Sequence, residues 1–471
     1  MEKIKHSWMG LLVLLGLGSV GLVIMLGLLK KDPKALSVLK LDKWAETSDV
    51  FAHKYEGFAG THPWFTQGFG PAWQKATGQL ITEKVMPGKE GWLFFWQETP
   101  RINLMEQVSG QTQLSPREIK SWRLFFDQKY AWCKERGIDY VLVLAPNKGS
   151  IYPEMLPDEI KSSPHQFLDE LIRDLREHTE LPWIDLRPTL KAAKKERQVF
   201  YHTDTHWNQW GAYNAYLALM RRLNDRAWRD TAAYRFQLDS VVYHEGDLAR
   251  LALRPPQAVG FHYEVSPQPE IAYDVQRNFT PEFPAHGGYR YERAAAALPK
   301  AVLFHDSFSH DLHPFLGRHF QDLRCYWTFW DMGSQRALTE DPPALLIEQT
   351  LERRLAVGHQ ANEASWIQPY WEKRFDQLRQ SWTYEGTSFS QLAGQLGLRP
   401  VETDQLWVVA LEVEAEESGH LRIENQYRYE PEFAIQPGRQ SLFVHLDPAK
   451  PVLFRSSSPG LKLLGARVAV Y

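Results

Sequence analysis

The stretch "YHTDTHWNQWGAYNAY", Tyr201 to Tyr216, sets an aspartate and two histidines among threonines just before a run of helix formers. Asp204 and His206 stand two residues apart, so on an extended or turning segment both side chains leave on one side and the carboxylate can meet the imidazole. Far downstream, "AVLFHDSFSH" carries an apolar run into a sharp polar turn that holds Ser307. A serine becomes a useful nucleophile when a base takes its proton and a third group holds that base in the right tautomer. In a strand-to-helix turn the Ser307 hydroxyl is exposed, and backbone N–H groups are at hand for an oxyanion. Asp204, His206 and Ser307 are therefore a chemically complete set for acyl transfer, with His202 beside them.

Each of these residues also fits a plainer role. Asp204 suits the cap of the helix that follows, His206 a buried histidine next to Trp207, and Ser307 a turn serine, with Ser309 competing as nucleophile. "HTDTH" and "HDSFSH" are rich in metal-ligand types, yet no helical H-x-x-x-H with a flanking Glu is present. The expectation is no metal and no cofactor.

The elements that must position these residues read as an α/β protein. "SPREIKSWRLFFDQKYAWCKERG" has Ser115 as N-cap, Pro116 at the first helical position and Gly137 past the last turn, so it predicts a helix. "IDYVLVLAP" is a continuous apolar run that suits a buried parallel strand. "HQFLDELIRDLREH" reads as helix, "LPWIDLRPTL" as a strand leaving into a loop, and Gly211 to Asn224 as helix again. The region from 235 to 295 reads as loop-rich. "PKAVLFHDSFSHDLHPFLGRHF" repeats strand, turn and helix, and "ALLIEQTLERRL" is a strand or a helix start. Alternating strands and helices imply a sheet with helices on both faces, and ligands there sit beyond the carboxyl ends of the strands. Both polar knots fall at such ends.

The chain of 471 residues is too long for one ordinary core. Its net charge of -3 argues against a nucleic-acid binder, and 18 tryptophans weakly favour a carbohydrate-handling surface. Cys133 and Cys325 have no metal-binding spacing; they read as small buried hydrophobes, with pairing in an oxidising compartment as the alternative. Trp8 to Leu29 carries no charge and has the length of a bilayer-spanning helix, with lysines on both flanks and no A-x-A-like cleavage site. Three parts are expected: an anchor at 1–35, the α/β domain at 36–380, and a tail at 381–471 whose short alternating runs read as a β-sandwich.

"FYHTDTHWNQWGAYNAY", with its Asp-x-His-Trp core, resembles the signature of the alginate O-acetyltransferase family (AlgJ/AlgX-like), a branch of the SGNH hydrolase-like proteins. "GKEGWLFF", "APNKGSIYPEMLP", "GDLARL" and "LFHDSFSHDLHPFL" resemble it in the same order. The resemblance implies a permuted SGNH hydrolase-like parallel-sheet domain that moves acetyl groups onto an exported polysaccharide; the alternatives are a polysaccharide acetylesterase with the same triad and a non-catalytic polysaccharide-binding scaffold of an export complex. Ser307 then matches the nucleophile, His206 the base and Asp204 its orienting partner. One departure is His305, where a Gly usually precedes the Asp-Ser pair; Asp306 is expected from the motif. Lys148, Tyr152 and Arg250, in family-like segments, and Trp207 and Asp306, in the two motifs, are expected at substrate. The tail resembles a carbohydrate-binding module in architecture, with Trp407, Tyr427 and Tyr429 as sugar-stacking faces. A membrane-bound O-acyltransferase is the implied acetyl donor. The implied setting is the inner membrane, with the soluble part in the periplasm.

Overall fold

The computed structural model describes residues 80, 82, 84–99, 102–226, 228, 235–243, 246–252, 261–268, 274–277, 287–330, 338–357, 364–397, 405–425, 432–448 and 450–471. The apolar stretch at 8–29 and the tyrosines Tyr427 and Tyr429 lie outside them; among the described residues no helix is long and apolar enough to cross a membrane. The chain divides into two compact units, Met1–Val85 with Glu245–Val259, and Met86–His244 with Gly260–Tyr471. The second unit holds the site.

Its centre is a seven-stranded sheet. In chain order the strands are β1 (Asp139–Ala145), β2 (Trp183–Asp185), β3 (Asp274–Arg277), β4 (Gly288–Glu292), β5 (Ala301–His305), β6 (Asp322–Trp327) and β7 (Leu345–Leu351). The spatial order is β2-β1-β7-β5-β6-β4-β3. From β2 to β6 all neighbours are parallel, and β4 and β3 add an antiparallel edge. "ALLIEQTLERRL" thus resolves as the central strand. The region read as loop-rich carries β3 and β4 and a further antiparallel pair, Arg235–Tyr243 with Phe261–Gln268.

Period-two alternation divides the strands between two cores. Tyr140, Leu142, Leu144, Val302, Phe304 and Leu346 face one side, where α1 (Pro116–Glu135) and α2 (Asp169–His178) supply Phe126, Trp132 and Leu171. Val141, Val143, Leu303, Ile347 and Leu351 face the other, covered by α3 (Arg187–Ala193) and α4 (Gln209–Asn224). Helix α1 starts as read: Ser115 and Glu118 form a capping box around Pro116. Cys133 sits in the first core and Cys325 in the second, on opposite faces of the sheet, and both are free thiols. The pairing alternative is thereby excluded.

The tail forms two antiparallel sheets around a shared core. One has the order Arg379–Tyr384, Lys462–Val470, Trp407–Ala415, Gly438–Leu446; the other Glu432–Ile435, Gly419–Glu424, Leu453–Ser456. In the smaller sheet Leu421, Ile423, Phe433 and Ile435 point inward and their neighbours outward. Trp407 opens a strand buried on both faces and is 3% exposed, so it has no face to offer a sugar. Its expected stacking role is replaced by core packing.

The tail is fastened to the α/β part by Arg117, which donates to Asp447 and the Gln405 carbonyl, and by Trp371. The Trp371 indole N–H donates to His445 Nε2 at 2.7 Å. An indole is a donor only, so that nitrogen must be a lone pair and His445 neutral. Burial pushes His445 down to about 3. Its folded value lies below its unfolded value, so its contribution is fully present above pH 6.5 and is lost as pH falls towards 3. Between pH 7 and pH 3.5 this loss is about 4 kcal/mol. His445→Gln, which keeps an acceptor for Trp371 without titrating, should unfold with a visibly shallower acid dependence in urea titrations. Equal slopes for variant and wild type would refute the assignment.

Candidate active site

The carboxyl ends of β5, β7 and β1 lie side by side, and the serine turn, Arg353 and Lys148 leave from them in that order. After β5 the chain turns at Asp306 into a short 3-10 helix, Ser307–His310. Asp306 caps that turn by accepting from the Phe308 N–H at 2.9 Å. Gln349 on β7 takes both the Asp306 N–H, at 3.3 Å, and the Ser309 hydroxyl, at 3.0 Å. Ser309 is therefore buried and committed, which leaves Ser307 as the serine that faces the histidine.

The second segment comes from the loop before α4. Asn208, not Asp204, caps that helix, accepting from the Gly211 N–H at 3.0 Å. A Cβ on Gly211 would stand 2.3 Å from the Val199 carbonyl, so a glycine is what lets the helix start this close to the loop. Freed from capping, Asp204 Oδ1 accepts from the His206 backbone N–H at 2.8 Å and meets His206 Nδ1 at 2.7 Å. His206 Nε2 stands 2.7 Å from Ser307 Oγ. Trp207 and Phe308, the residues after His206 and Ser307, meet edge to face at 5.2 Å, and this contact brings the two distant segments together.

A carboxylate, an imidazole and a hydroxyl in one hydrogen-bonded line can move a proton from the hydroxyl to the imidazole while the carboxylate supports the cation that forms. A sequence model described as "SGNH hydrolase-like domain, acetyltransferase AlgX" matches residues 85–323, which spans the sheet, the His206 loop and the Ser307 turn. The chain belongs to this family. It is an O-acetyltransferase with an SGNH hydrolase-like α/β fold.

A relative named probable alginate O-acetylase AlgJ, from Pseudomonas aeruginosa, is 26% identical over 312 residues, covering 60% of this chain and 74% of its own. Another of that name, from Pseudomonas fluorescens, is 30% identical over 171 residues, 35% of this chain and 40% of its own. Among solved structures, the O-acetyltransferase domain of Pseudomonas putida AlgJ matches with a TM-score of 0.40 at 19% identity, over 62% of this chain and 98% of its own. Bacillus cereus PatB1 matches with 0.43 at 15%, over 59% of this chain and 98% of its own.

Most of the residues of this acetyltransferase that were expected at substrate make contacts within the fold. Trp207 is fully buried in the core. The Tyr152 ring packs against Trp92 and its hydroxyl accepts from the Val199 N–H at 2.9 Å, so it braces the loop that leads to His206. Lys148 is 5% exposed and donates to backbone carbonyls. Burial pushes the Asp306 carboxyl up, against the Phe308 N–H and the Arg353 guanidinium, which pull it down; it shapes the turn from within. Arg250 lies on Asp247–Leu251, in the other compact unit. His202 is not in the hydrogen-bonded line. Its ring rests 4.5 Å from that of Trp92, and burial followed by the Lys148 cation lowers it to about 4. His305, in place of the usual Gly, is buried under the turn and donates from Nδ1 to the Asp306 carbonyl, 2.7 Å away.

Sequence reasoning missed Gln349 and Arg353. Arg353 follows β7 and stands over the Phe95 and Phe308 rings. With Phe94, Phe95, Asn147, Lys148 and Thr205 it lines a narrow cleft beside the His206 loop. The signal was present in "TLERRL", where charged residues follow an apolar strand at the end where sites form.

Proposed function

We propose that this enzyme acetylates an exported polysaccharide through an acetyl-Ser307 intermediate. The observation that carries the reading is the pair of 2.7 Å contacts that His206 makes, one to Asp204 and one to Ser307. His206 Nε2 takes the Ser307 proton as Oγ attacks the carbonyl carbon of an acetyl donor. The tetrahedral intermediate collapses, the donor's leaving oxygen receives that proton, and the acetyl ester stays on Ser307. A sugar hydroxyl then gives its proton to the same Nε2 and attacks the ester; Ser307 leaves and regains the proton. Asp204 stabilises the imidazolium in both steps.

The polymer acceptor is suggested by relatives named alginate O-acetylases. In the proposed setting the apolar stretch at 8–29 is a single-pass inner-membrane anchor and the enzyme works in the periplasm. A membrane-bound O-acyltransferase presents the acetyl donor, and the β-rich tail contacts the polymer in the manner of a carbohydrate-binding module.

Incubating the chain with a chromogenic acetyl ester and weighing it intact tests the core of this. An acetyl adduct on wild type that is absent from Ser307→Ala is the expected result, and addition of oligosaccharide acceptors should discharge it with transfer. A folded wild type that acquires no adduct would remove the acyl-serine mechanism.

A further inference from the structure

We propose that Lys148 is the positioning residue that holds the Asp204–His206 segment in register with Ser307. The inference rests on the acyl-serine reading above. Lys148 follows the carboxyl end of β1, and its ammonium carries three protons. Three carbonyls surround it: Leu93 at 2.7 Å, His202 at 2.7 Å and Asp204 at 3.0 Å. The Trp92 and Phe94 ring faces stand 4.9 and 5.3 Å from the nitrogen, so the cation is held by carbonyl dipoles and π faces in the wall of the cleft.

This contact matters because of what it holds. Residues 201–206 run through bends and have no sheet ladder of their own. Leu93 N–H to the His202 carbonyl, at 2.9 Å, is a backbone tie to the neighbouring strand Leu93–Phe95. Lys148 adds ties at His202 and Asp204 and anchors them to the central sheet. Asp204 is thereby gripped at both ends: its carbonyl by Lys148, its carboxylate by His206. If the carbonyl drifts, the carboxylate swings with it, and the 2.7 Å reach from His206 to Ser307 opens. A misplacement of about 1 Å in such a line costs roughly 100-fold in rate. A tetrahedral ammonium suits three converging carbonyls, which the planar fork of an arginine does not.

The test compares the full-length wild type with Lys148→Met and Lys148→Gln. Turnover of the acetyl ester and the rate at which an arylsulfonyl fluoride labels Ser307 are both measured. The expected result is a fall in kcat and in labelling rate of about 100-fold for Lys148→Met, with KM within a few-fold of wild type. Because Lys148 acts through His206, adding Lys148→Met to His206→Ala should cost little more than His206→Ala alone. A merely structural role would leave labelling by the folded variant unchanged, or add its full cost in the double variant; either overturns the proposal. Loss of cooperative unfolding in both Lys148 variants would assign the lysine to the fold instead and overturn it too. If wild type itself is not labelled at Ser307, the acyl-serine reading fails, a result distinct from equal labelling of wild type and Lys148→Met.

Discussion

Asp204→Ala should slow formation of the acetyl-serine about 10⁴-fold, the scale seen when a triad loses its acid. Asp204→Asn should lose much less, roughly 30- to 150-fold. The reason lies in the geometry. A single oxygen, Oδ1, serves both His206 groups, the backbone N–H at 2.8 Å and Nδ1 at 2.7 Å. An asparagine amide oxygen in the same place still accepts both bonds, so the tautomer with its proton on Nδ1 survives and Nε2 remains the base. What goes is the negative charge, and with it the charge-assisted part of the bond to the imidazolium, about 2–3 kcal/mol. Alanine removes charge, tautomer control and the backbone tie together. Single-turnover mass spectrometry of the acetyl adduct gives both numbers. Equal losses for Asn and Ala would mean that charge, not orientation, is what Asp204 supplies. A wild-type rate for Ala would remove it from the mechanism.

The α/β frame was legible because its signals are local. A capping box at Ser115, a continuous apolar run at 139–145 and a proline at the first turn of α1 each act within a few residues. "ALLIEQTLERRL" was ambiguous for a physical reason: β7 is buried on both faces, so it shows no alternation, and Glu348 and Gln349 interrupt its apolar run. The strands at 235–243, 261–268 and 274–277 were not legible because they are antiparallel and carry few continuous apolar residues. Asp204, His206 and Ser307 could be named together from their chemistry, since an aspartate two residues before a histidine and a serine after a strand are sparse patterns. Their meeting could not, because it depends on Trp207 packing against Phe308 across a long stretch of chain. Lys148 shows the limit most clearly. A lysine in a polar-looking loop reads as a surface cation for substrate, and only the fold reveals three carbonyls closing on it.

Lys129 poses the opposite problem, a charge in the middle of the first core, and replacing it should cost the fold heavily. Its ammonium, on α1, lies 2.5 Å from Glu348 Oε1 on the central strand β7, and both side chains are nearly closed to solvent. The Tyr140 hydroxyl on β1 donates to the other oxygen, Oε2, at 2.6 Å; burial and the Glu348 charge hold that phenol well above its ordinary range, so it stays a donor. The Phe125 ring lies under the ammonium, 4.2 Å away. Lys129→Met fills the space but strands a carboxylate in an apolar core, so the expected destabilisation is about 3–5 kcal/mol. Lys129→Met with Glu348→Gln should recover most of that loss. The amide is neutral, and its oxygen still accepts from Tyr140. Urea midpoints, with m-values checked for constancy, measure both. If the double variant were as unstable as the single, the cost would lie in packing around the lysine stem and not in the stranded charge. That would make the Lys129–Glu348 pair a volume constraint between α1 and the sheet, in place of an electrostatic one.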